Sequence, residues 1–455
     1  MVSAFTSTEF LKWQKCDVIE TTNQKCGLII GAEKQEFWGF GGCFNEQGKA
    51  ALDKLNDKER IELLDNIFTN DFQFDFCRLP VAANDYALDW YSYNETDGDF
   101  KMKNFSIERD KKTLIPYVKE ALKRNPKIKF FASPWSPPTW MKRPKVYNWG
   151  RIDLSPQNLD AYALYFVKYI QAYEKEGIHI SQLHFQNEPY ADTKYPSCLW
   201  NYKEIGTFIH GHLAPAFKKH GIDSEIWLGT LNGTVFEGVH QLCYTDFEQM
   251  AFPLIIDDVE HNIKGIAYQW YGKHTIAQTA ESFPNLPIIQ SENECGDGTN
   301  TWEYMKYIFG LVHHYLKCGV RAYCYWNMIL PTKNGISTWG MKQNCLVSID
   351  RSENPNRREV ESTQINKSTG EEIVTYNNEY FLLKHLSKFI GAGSTFLDAS
   401  GDFASMSVSF KNAQGQIITI IKNPLETDRE IVIASNNKQH KLTLKADSIT
   451  TVFSW

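Results

Sequence analysis

Two glutamates stand where short apolar runs of the sequence end, and their carboxyl groups are the first candidates for chemistry. The run 180–189 ends in the letters QNEP, which contain Glu188, and the run 287–296 contains the letters SENE, which include Glu292. Two carboxyl groups that face one cleft can divide bond cleavage, since one protonates a leaving oxygen while the other attacks or activates water. From spacing alone, a pair of solvent-facing acids at strand ends remains the alternative.

The second run offers two glutamates, and periodicity does not choose between them. Glu292 and Glu294 share parity, so along an extended strand their side chains point to the same side. Position along the run favours Glu292, because Glu294 lies further into the following loop.

The elements that position these side chains are eight short apolar or β-branched runs. Stretches with helical periodicity separate several of them, such as 114–122 and 159–173, so strands alternate with helices. Near-continuous apolar strands indicate a sheet that is covered on its outer face. The sequence therefore predicts an α/β fold, a (β/α)8 TIM barrel whose site lies at the carboxyl ends of the strands. The eight runs are 36–42, 74–81, 128–135, 180–189, 224–233, 265–272, 287–296 and 321–328.

After about residue 386 the hydrophobic pattern changes to period 2, which is typical of antiparallel strands separated by turns. Two further strand candidates, 15–21 and 26–30, precede the first barrel run. We therefore expect a side antiparallel β-sandwich domain built from both chain ends, residues 1–35 and 386–455, beside a barrel of residues 36–385. The segment 351–378, rich in charge, Asn and Ser, is expected to be an exposed loop.

Composition excludes some classes of function and favours others. Lys and Arg number 48 against 54 Asp and Glu, with a net charge of -6 and no long basic run, which argues against a nucleic-acid partner. Aromatic residues make up 14% of the chain, a content that suits a carbohydrate partner, although a Trp-rich core is the alternative. The oligomeric state is left open.

Targeting and metal signals are weak. Residues 1–10 contain neither a basic segment nor an apolar one, and the sequence contains no run of 18 apolar residues, so we expect a cytoplasmic protein without a membrane span. A mature secreted form is the alternative.

The ten cysteines show no CxxC spacing, and the adjacent His313 and His314 would face different directions on a helix, so no metal or other cofactor is expected.

Together, motifs along most of the chain resemble those of glycoside hydrolase family 30, the family of glucosylceramidase-like enzymes. The resemblance implies a (β/α)8 barrel with a side β domain, which agrees with the pattern described above. It also implies a retaining β-glycosidase. In chain order the motifs are Gly39-Phe40-Gly41-Gly42, Arg78-Leu79-Pro80 with Asp85, the segment 132–141 (ASPWSPPTWM), Asn187-Glu188-Pro189, Trp270-Tyr271, Ser291-Glu292, Trp326-Asn327 and the segment 385–390 (HLSKFI).

Carried over position by position, the resemblance implies that Glu188 is the acid/base and Glu292 the nucleophile. It implies that a hydroxyl of Tyr271 reaches the nucleophile, and that Arg78 and Gln269 have supporting roles. Gln269 departs from the family pattern, which has His at that position. The remaining substrate-binding candidates are Asp85, Trp135, Asn187, Trp326 and Asn344, of which Asn344 lies in a segment that aligns loosely and the two tryptophans could instead pack at the barrel top.

The family resemblance and the aromatic candidates Trp135, Tyr271 and Trp326 together predict an exo-acting enzyme. It would hydrolyse the terminal sugar, with β-glucosides favoured, from short oligosaccharides or small glycosides. Glu188 must be protonated while Glu292 is ionised, and neighbouring carboxyls achieve this because ionising one raises the pKa of the other. The alternatives within the family are a β-xylosidase, a β-fucosidase and an endo-β-1,6-glucanase. A non-catalytic carbohydrate-binding barrel is the alternative from another class.

Overall fold

Eight parallel strands close into a barrel in the computed structural model, which describes residues 2–232, 247–331, 335–350 and 373–454. The eighth strand pairs in parallel with the first, with Ala322 opposite Gly39, so the sheet has no open edge. The predicted (β/α)8 barrel is confirmed. In chain order, and numbered from first to eighth barrel strand below, the strands are Gly39–Cys43, Phe76–Val81, Lys129–Pro134, Ile180–His184, Glu225–Leu231, Ile263–Gln269, Ile288–Glu292 and Ala322–Asn327.

Burial on both faces explains the continuous apolar runs. Every residue of the second strand and of the eighth strand is buried, as expected for parallel strands that helices cover from outside. The first strand passes very close to the second: a Cβ on Gly41 would lie 1.8 Å from the carbonyl oxygen of Phe76. Glycine at that position therefore allows the contact between the two strands.

The helices lie between and around the barrel strands, and the two helical stretches expected from periodicity are present. Helix Trp302–Lys317 buries Met305, Ile308, Phe309 and Val312, the spacing of one helix face turned to the core. In the described parts of the chain, the other α-helices are Glu46–Leu52, Asp57–Asp65, Leu114–Arg124, Pro156–Lys175, Tyr202–Phe208, Ala214–His220, Phe252–Asp257, Ile276–Ser282 and Asn378–Ser387; π-helical turns span Asn66–Asn70, Ile209–Leu213 and Phe247–Ala251, and 3-10 turns span Thr139–Met141, Trp270–His274 and Ala404–Met406.

The side domain is a ten-stranded, mostly antiparallel sheet built from both chain ends, as predicted. Strand Val2–Thr8 pairs antiparallel with strand Ser448–Ser454. Ala4 and Val452 share one hydrophobic core with Ile431 on a distant strand, so two halves of the sheet pack face to face. The other strands are Gln14–Cys16, Val18–Thr21, Leu28–Phe37, Ser394–Ser400, Ser407–Lys411, Ile417–Asn423, Arg429–Ser435 and Lys438–Leu444.

One buried histidine joins the two domains. His385, near the end of helix Asn378–Ser387, contacts the hydroxyl of Ser7 through Nε2 and the hydroxyl of Thr451 through Nδ1, each at 2.8 Å. Burial lowers the pKa of His385 to about 3, so the ring is neutral at ordinary pH. The helix and the strand Leu28–Phe37 each run across an expected domain boundary.

Two smaller sheets complete the fold, and one of them bears on the expected loop 351–378. Residues 351–372 of that segment lie outside the described residues. Its end forms strand Val374–Tyr376, which pairs with Val347–Ile349, and residue 378 begins the next helix. The loop prediction was therefore wrong for the end of the segment. The same sheet includes Ile329–Pro331, and Lys142–Arg143 pairs with Arg151–Ile152. Within the described ranges, no helix has the length and apolar content needed to cross a membrane.

Candidate active site

Glu188 follows the fourth barrel strand, and its backbone is tied to the neighbouring strand end. Its N–H donates to the carbonyl of Thr230 at 2.9 Å, and its φ of +47° is in the left-handed region, which is unfavourable for a residue with a Cβ. The carboxylate accepts hydrogen bonds from the Tyr195 hydroxyl at 2.5 Å, the Asn232 amide at 2.6 Å and the Gln269 amide at 2.9 Å. A residue whose backbone is strained and whose carboxylate is held by several hydrogen bonds is typical of functional sites.

Glu292 is the last residue of the seventh strand and is 6% exposed. Nη1 of Arg78 lies 2.5 Å from Oε2, and the indole N–H of Trp270 donates to Oε1 at 2.8 Å. Burial raises the pKa of Glu292, whereas the Arg78 guanidinium lowers it and the Glu188 carboxylate raises it. A buried carboxylate needs such partners, because an unpaired buried charge is strongly destabilising.

Arg78 extends from the second strand and is fully buried beneath the cleft. Besides Glu292, its guanidinium donates to the hydroxyl of Ser133 at 2.8 Å and to the amide oxygen of Asn187 at 2.7 Å. Its planar guanidinium therefore fixes groups on the third and seventh strands and after the fourth strand.

Gln269, the last residue of the sixth strand, lies between the two carboxylates. Its Nε2 is 2.9 Å from Oε1 of Glu188 and 3.4 Å from Oε2 of Glu292. Its Oε1 accepts from the hydroxyl of Ser291 at 3.2 Å, which orients the amide so that the nitrogen faces the carboxylates. The amide links the two groups without adding charge.

Trp135 and Trp326 lie beside this network and stack on each other, with ring centroids 5.6 Å apart and an interplanar angle of 28°. Each is 1% exposed, and the indole N–H of Trp326 donates to Gln343 at 2.9 Å. The Arg78 guanidinium carbon lies 4.4 Å from the Trp135 ring centroid. In the free protein the two rings therefore pack against each other at the top of the barrel, which is the alternative role considered for them.

Asp85 is an acid whose hydrogen-bonding capacity is not used up. It is 6% exposed, and its Oδ1 has no hydrogen-bond partner among the described residues. Burial raises the pKa of Asp85 well above its usual range, and the charge of Glu292 adds to this effect. Buried polar atoms are rarely left without a partner, so a ligand hydroxyl is the natural complement of this oxygen.

Two of the predicted site residues lie elsewhere than expected. The hydrogen bond to the nucleophile position that we expected from the Tyr271 hydroxyl comes from the indole of Trp270; the Tyr271 side chain is 40% exposed and its ring lies near Lys273 and His274. Trp270 has a φ of +44° and begins a 3-10 turn, in which successive side chains point in different directions. A contact of the Tyr271 hydroxyl with Glu292 stays a prediction.

Asn344 is the second difference. It is fully buried, its amide nitrogen donates to Glu379 at 2.6 Å, and its amide oxygen accepts from the backbone N–H of Gly298 at 2.8 Å. Because protein groups occupy both ends of the amide, Asn344 holds the loop after the seventh strand in the free protein. Sugar binding by Asn344 stays a prediction.

Three contacts of the carboxylates were missed from the sequence: Tyr195 and Asn232 on Glu188, and Trp270 on Glu292. Trp270 was available as a signal, since it directly follows Gln269 in a Trp-Tyr pair. Tyr195 lies in a loop without periodicity, so the sequence pattern gave no direct indication of it. Asn232 directly follows the fifth barrel strand and lies near the end of the predicted run 224–233, so its position at a strand end was an available signal.

Comparisons with known proteins agree with this geometry. The model of the glycosyl hydrolase family 30 TIM-barrel domain matches residues 37–339, and that of the family's beta sandwich domain matches residues 393–452. The chain is 27% identical to the lysosomal acid glucosylceramidase of Mus musculus, covering 90% of this chain and 79% of the relative. It is 25% identical to endo-1,6-beta-D-glucanase BGN16.3 of Trichoderma harzianum, covering 92% and 84%.

Solved structures show the same fold. SrfJ from Salmonella typhimurium superposes with a TM-score of 0.82 at 22% identity, covering 100% of this chain and 99% of SrfJ. The endo-beta1,6-glucanase BT3312 superposes with a TM-score of 0.81 at 22% identity, covering 99% of each chain. With both domains matched in order, and two buried glutamates at the ends of the fourth and seventh barrel strands, this chain belongs to glycoside hydrolase family 30 and is a glycoside hydrolase.

Proposed function

We propose that this glycoside hydrolase is a retaining, exo-acting β-glycosidase that removes the terminal sugar, with β-glucose favoured, from short oligosaccharides or small glycosides. The observation that carries the proposal is the pair Glu188 and Glu292, which share one amide of Gln269 while only Glu292 is paired with Arg78. The two carboxyl groups thus have different electrostatic environments, as an acid and a nucleophile require.

These contacts indicate which carboxyl group acts as the nucleophile and which as the acid. The Arg78 ion pair and the Trp270 N–H favour the ionised form of Glu292, which attacks the anomeric carbon as the glycosidic bond breaks. Glu188, as the acid, passes a proton to the leaving oxygen. In the second step Glu188 takes a proton from water, the water oxygen bonds to the anomeric carbon, and Glu292 leaves as a carboxylate.

The spacing supports retention of configuration. One amide nitrogen lies 2.9 Å from Oε1 of Glu188 and 3.4 Å from Oε2 of Glu292, so these oxygens must be closer together than the separation of about 6.5 Å or more found in inverting enzymes. We expect the β anomer as the first sugar released. Proton NMR of early product measures this directly, and initial release of the α anomer would contradict the mechanism.

Closure of the cleft supports exo-action. The segment 335–343, which follows the eighth strand, reaches two other loops: the N–H of Thr338 donates to the carbonyl of Asp85 at 2.7 Å, and the Trp339 ring lies 5.5 Å from the ring of Tyr195. A segment that joins these loops encloses the side of the site where Asp85 lies. Such an enclosure suits one terminal sugar better than a chain that continues in both directions.

An endo-β-1,6-glucanase is the second candidate, because relatives with that name match nearly the whole chain. A panel of nitrophenyl β-glycosides, including glucoside, xyloside and fucoside, identifies the terminal sugar. Incubation with gentiobiose and with a soluble β-1,6-glucan then separates the two modes. Release of glucose with little change in polymer viscosity supports exo-action, whereas a rapid fall in viscosity with little free glucose favours the glucanase.

A further inference from the structure

An exposed tryptophan stands beside the loop that holds the acid/base. Trp149 lies in the segment 143–151 between the third barrel strand and helix Pro156–Lys175, and it is 43% exposed. The segment 190–200, here called the acid–base loop, contains Tyr195, whose hydroxyl donates to Glu188. The two segments are joined by hydrogen bonds, so their relative positions are fixed.

The joint is made at Trp149 itself. Its N–H lies 3.3 Å from the carbonyl of Thr193 and 3.0 Å from the hydroxyl oxygen of Ser197. The next residue, Gly150, donates to a carboxylate oxygen of Asp192 at 2.7 Å. The three contacted residues lie within three positions of Tyr195, which places the backbone of Trp149 on the same side of the cleft as Glu188.

A buried ammonium group stiffens the joint from below. Lys142 is fully buried, and its Nζ donates to the carbonyl of Tyr147 at 2.8 Å and to the carbonyl of Ser197 at 2.6 Å, one from each segment. A Cβ on Gly150 would lie 2.3 Å from the carbonyl oxygen of Arg143, so the segment folds back on itself without spare room. Because its two acceptors belong to different segments, Lys142 links the segment 143–151 to the acid–base loop.

The backbone of Trp149 is itself in an unfavourable conformation. Its φ is +61°, in the left-handed region that bulky residues avoid. Glu188 and Trp270, with φ values of +47° and +44°, share this feature at the site. The hydrogen bonds of the Trp149 N–H to Thr193 and Ser197 hold this conformation, which leaves the indole exposed in the free protein.

We propose that Trp149 stacks on the sugar ring of the leaving group, on the side of the cleaved bond that Glu188 protonates. The general acid must face the leaving oxygen, so groups beside the acid–base loop meet the departing part of the substrate. A flat indole face complements the C–H face of a pyranose ring. This inference rests on the proposed function and refines it: oligosaccharides, in which the leaving group is a sugar, are the preferred substrate class.

Two substrates separate this contact from the rest of the site. The β-glycosyl fluoride of the preferred terminal sugar has a leaving group too small to reach Trp149, whereas the matching disaccharide places a sugar there. For Trp149→Ala, the ratio of kcat/KM for the disaccharide to kcat/KM for the fluoride should fall about tenfold, the size of one lost aromatic contact, mainly through KM. Trp149→Phe should retain most of the wild-type ratio. Phe10→Ala, at an 85% exposed aromatic of the side domain, should keep the wild-type ratio.

Each result decides something. A wild-type ratio in Trp149→Ala overturns the inference while leaving the proposed function in place, and so does an equal loss on both substrates, which would indicate a general disturbance of the site. An equal fall of the ratio in Trp149→Ala and Trp149→Phe also contradicts stacking. A wild-type enzyme that hydrolyses neither substrate overturns the proposed function, and this inference with it.

Discussion

The Glu292 carboxylate forms an ion pair with Arg78 on the second barrel strand and accepts a hydrogen bond from the indole of Trp270, which follows the sixth strand, so it is the first residue to replace. Glu292→Ala should lower kcat by about 10⁴-fold or more, as for other residues that form a covalent intermediate. Azide should restore part of the activity, with an α-glycosyl azide as product, because a small anion can occupy the space left by the carboxylate. Product analysis by NMR measures this rescue.

Glu294 is the matched control for that experiment, because it shares strand parity with Glu292. The structure pairs Glu294 with Lys273 at 2.5 Å and with the Tyr307 hydroxyl at 2.9 Å, away from Gln269 and Arg78. Glu294→Ala should therefore keep a measurable rate without azide. Loss of activity in Glu294→Ala together with rescue by azide would reverse the assignment of the nucleophile.

The indole of Trp270 gives a prediction for pH dependence. Its hydrogen bond favours the ionised form of Glu292, so Trp270→Phe should raise the pKa of Glu292. Since the reaction needs the ionised form, the acidic limb of the kcat/KM profile should move to higher pH, and activity should fall more at low pH than at neutral pH. Trp302→Phe, on an outer helix, is the control. An unchanged acidic limb in Trp270→Phe would contradict this role.

At the scale of elements, Asn344 joins the loop after the seventh strand to helix Asn378–Ser387 through Gly298 and Glu379. Asn344→Ala leaves a buried carboxylate oxygen and a backbone N–H without their partner, a loss of about 2–4 kcal/mol in the free energy of unfolding. Chemical denaturation measures the loss. KM for a small glycoside should stay near the wild-type value if the role is structural, and a large rise in KM without loss of stability would show that Asn344 binds the sugar.

At the scale of the whole molecule, His385 makes the contact between barrel and side domain sensitive to acid. Its pKa is about 3 in the folded protein against 6.5 for an unperturbed histidine, because the folded site buries the ring. Between these pH values the unfolded state binds more protons than the folded state, so stability falls as pH falls through this window.

Replacing the histidine tests this contribution. His385→Gln should be less stable than the wild type near pH 8, where contacts with Ser7 and Thr451 are weakened, yet should lose less stability between pH 6.5 and pH 4. Thermal midpoints from circular dichroism at a series of pH values measure both effects. An identical slope for the two proteins would show that His385 does not contribute to acid sensitivity.

Much of the fold was predictable because burial leaves a local pattern in the sequence. A strand covered on both faces is mainly apolar, as 74–81 is apart from Asp75 and Arg78, and a strand of the side domain alternates, as 405–410 does. The polar residues that end those apolar runs, including Glu188 and Glu292, then fall at one end of the barrel by topology alone. The exception was the end of segment 351–378, where pairing with a distant strand decides the structure.

What only the tertiary structure decided is which loop side chains reach the carboxylates. The sequence by itself determined the barrel, the side domain from both chain ends and the two glutamates, because each follows from residue type and spacing. The contact of Trp270 instead of Tyr271 depends on a left-handed backbone angle, and the inward position of Asn344 depends on Glu379, 35 residues away. Such contacts join groups that are far apart along the chain, and local periodicity carries no information about them.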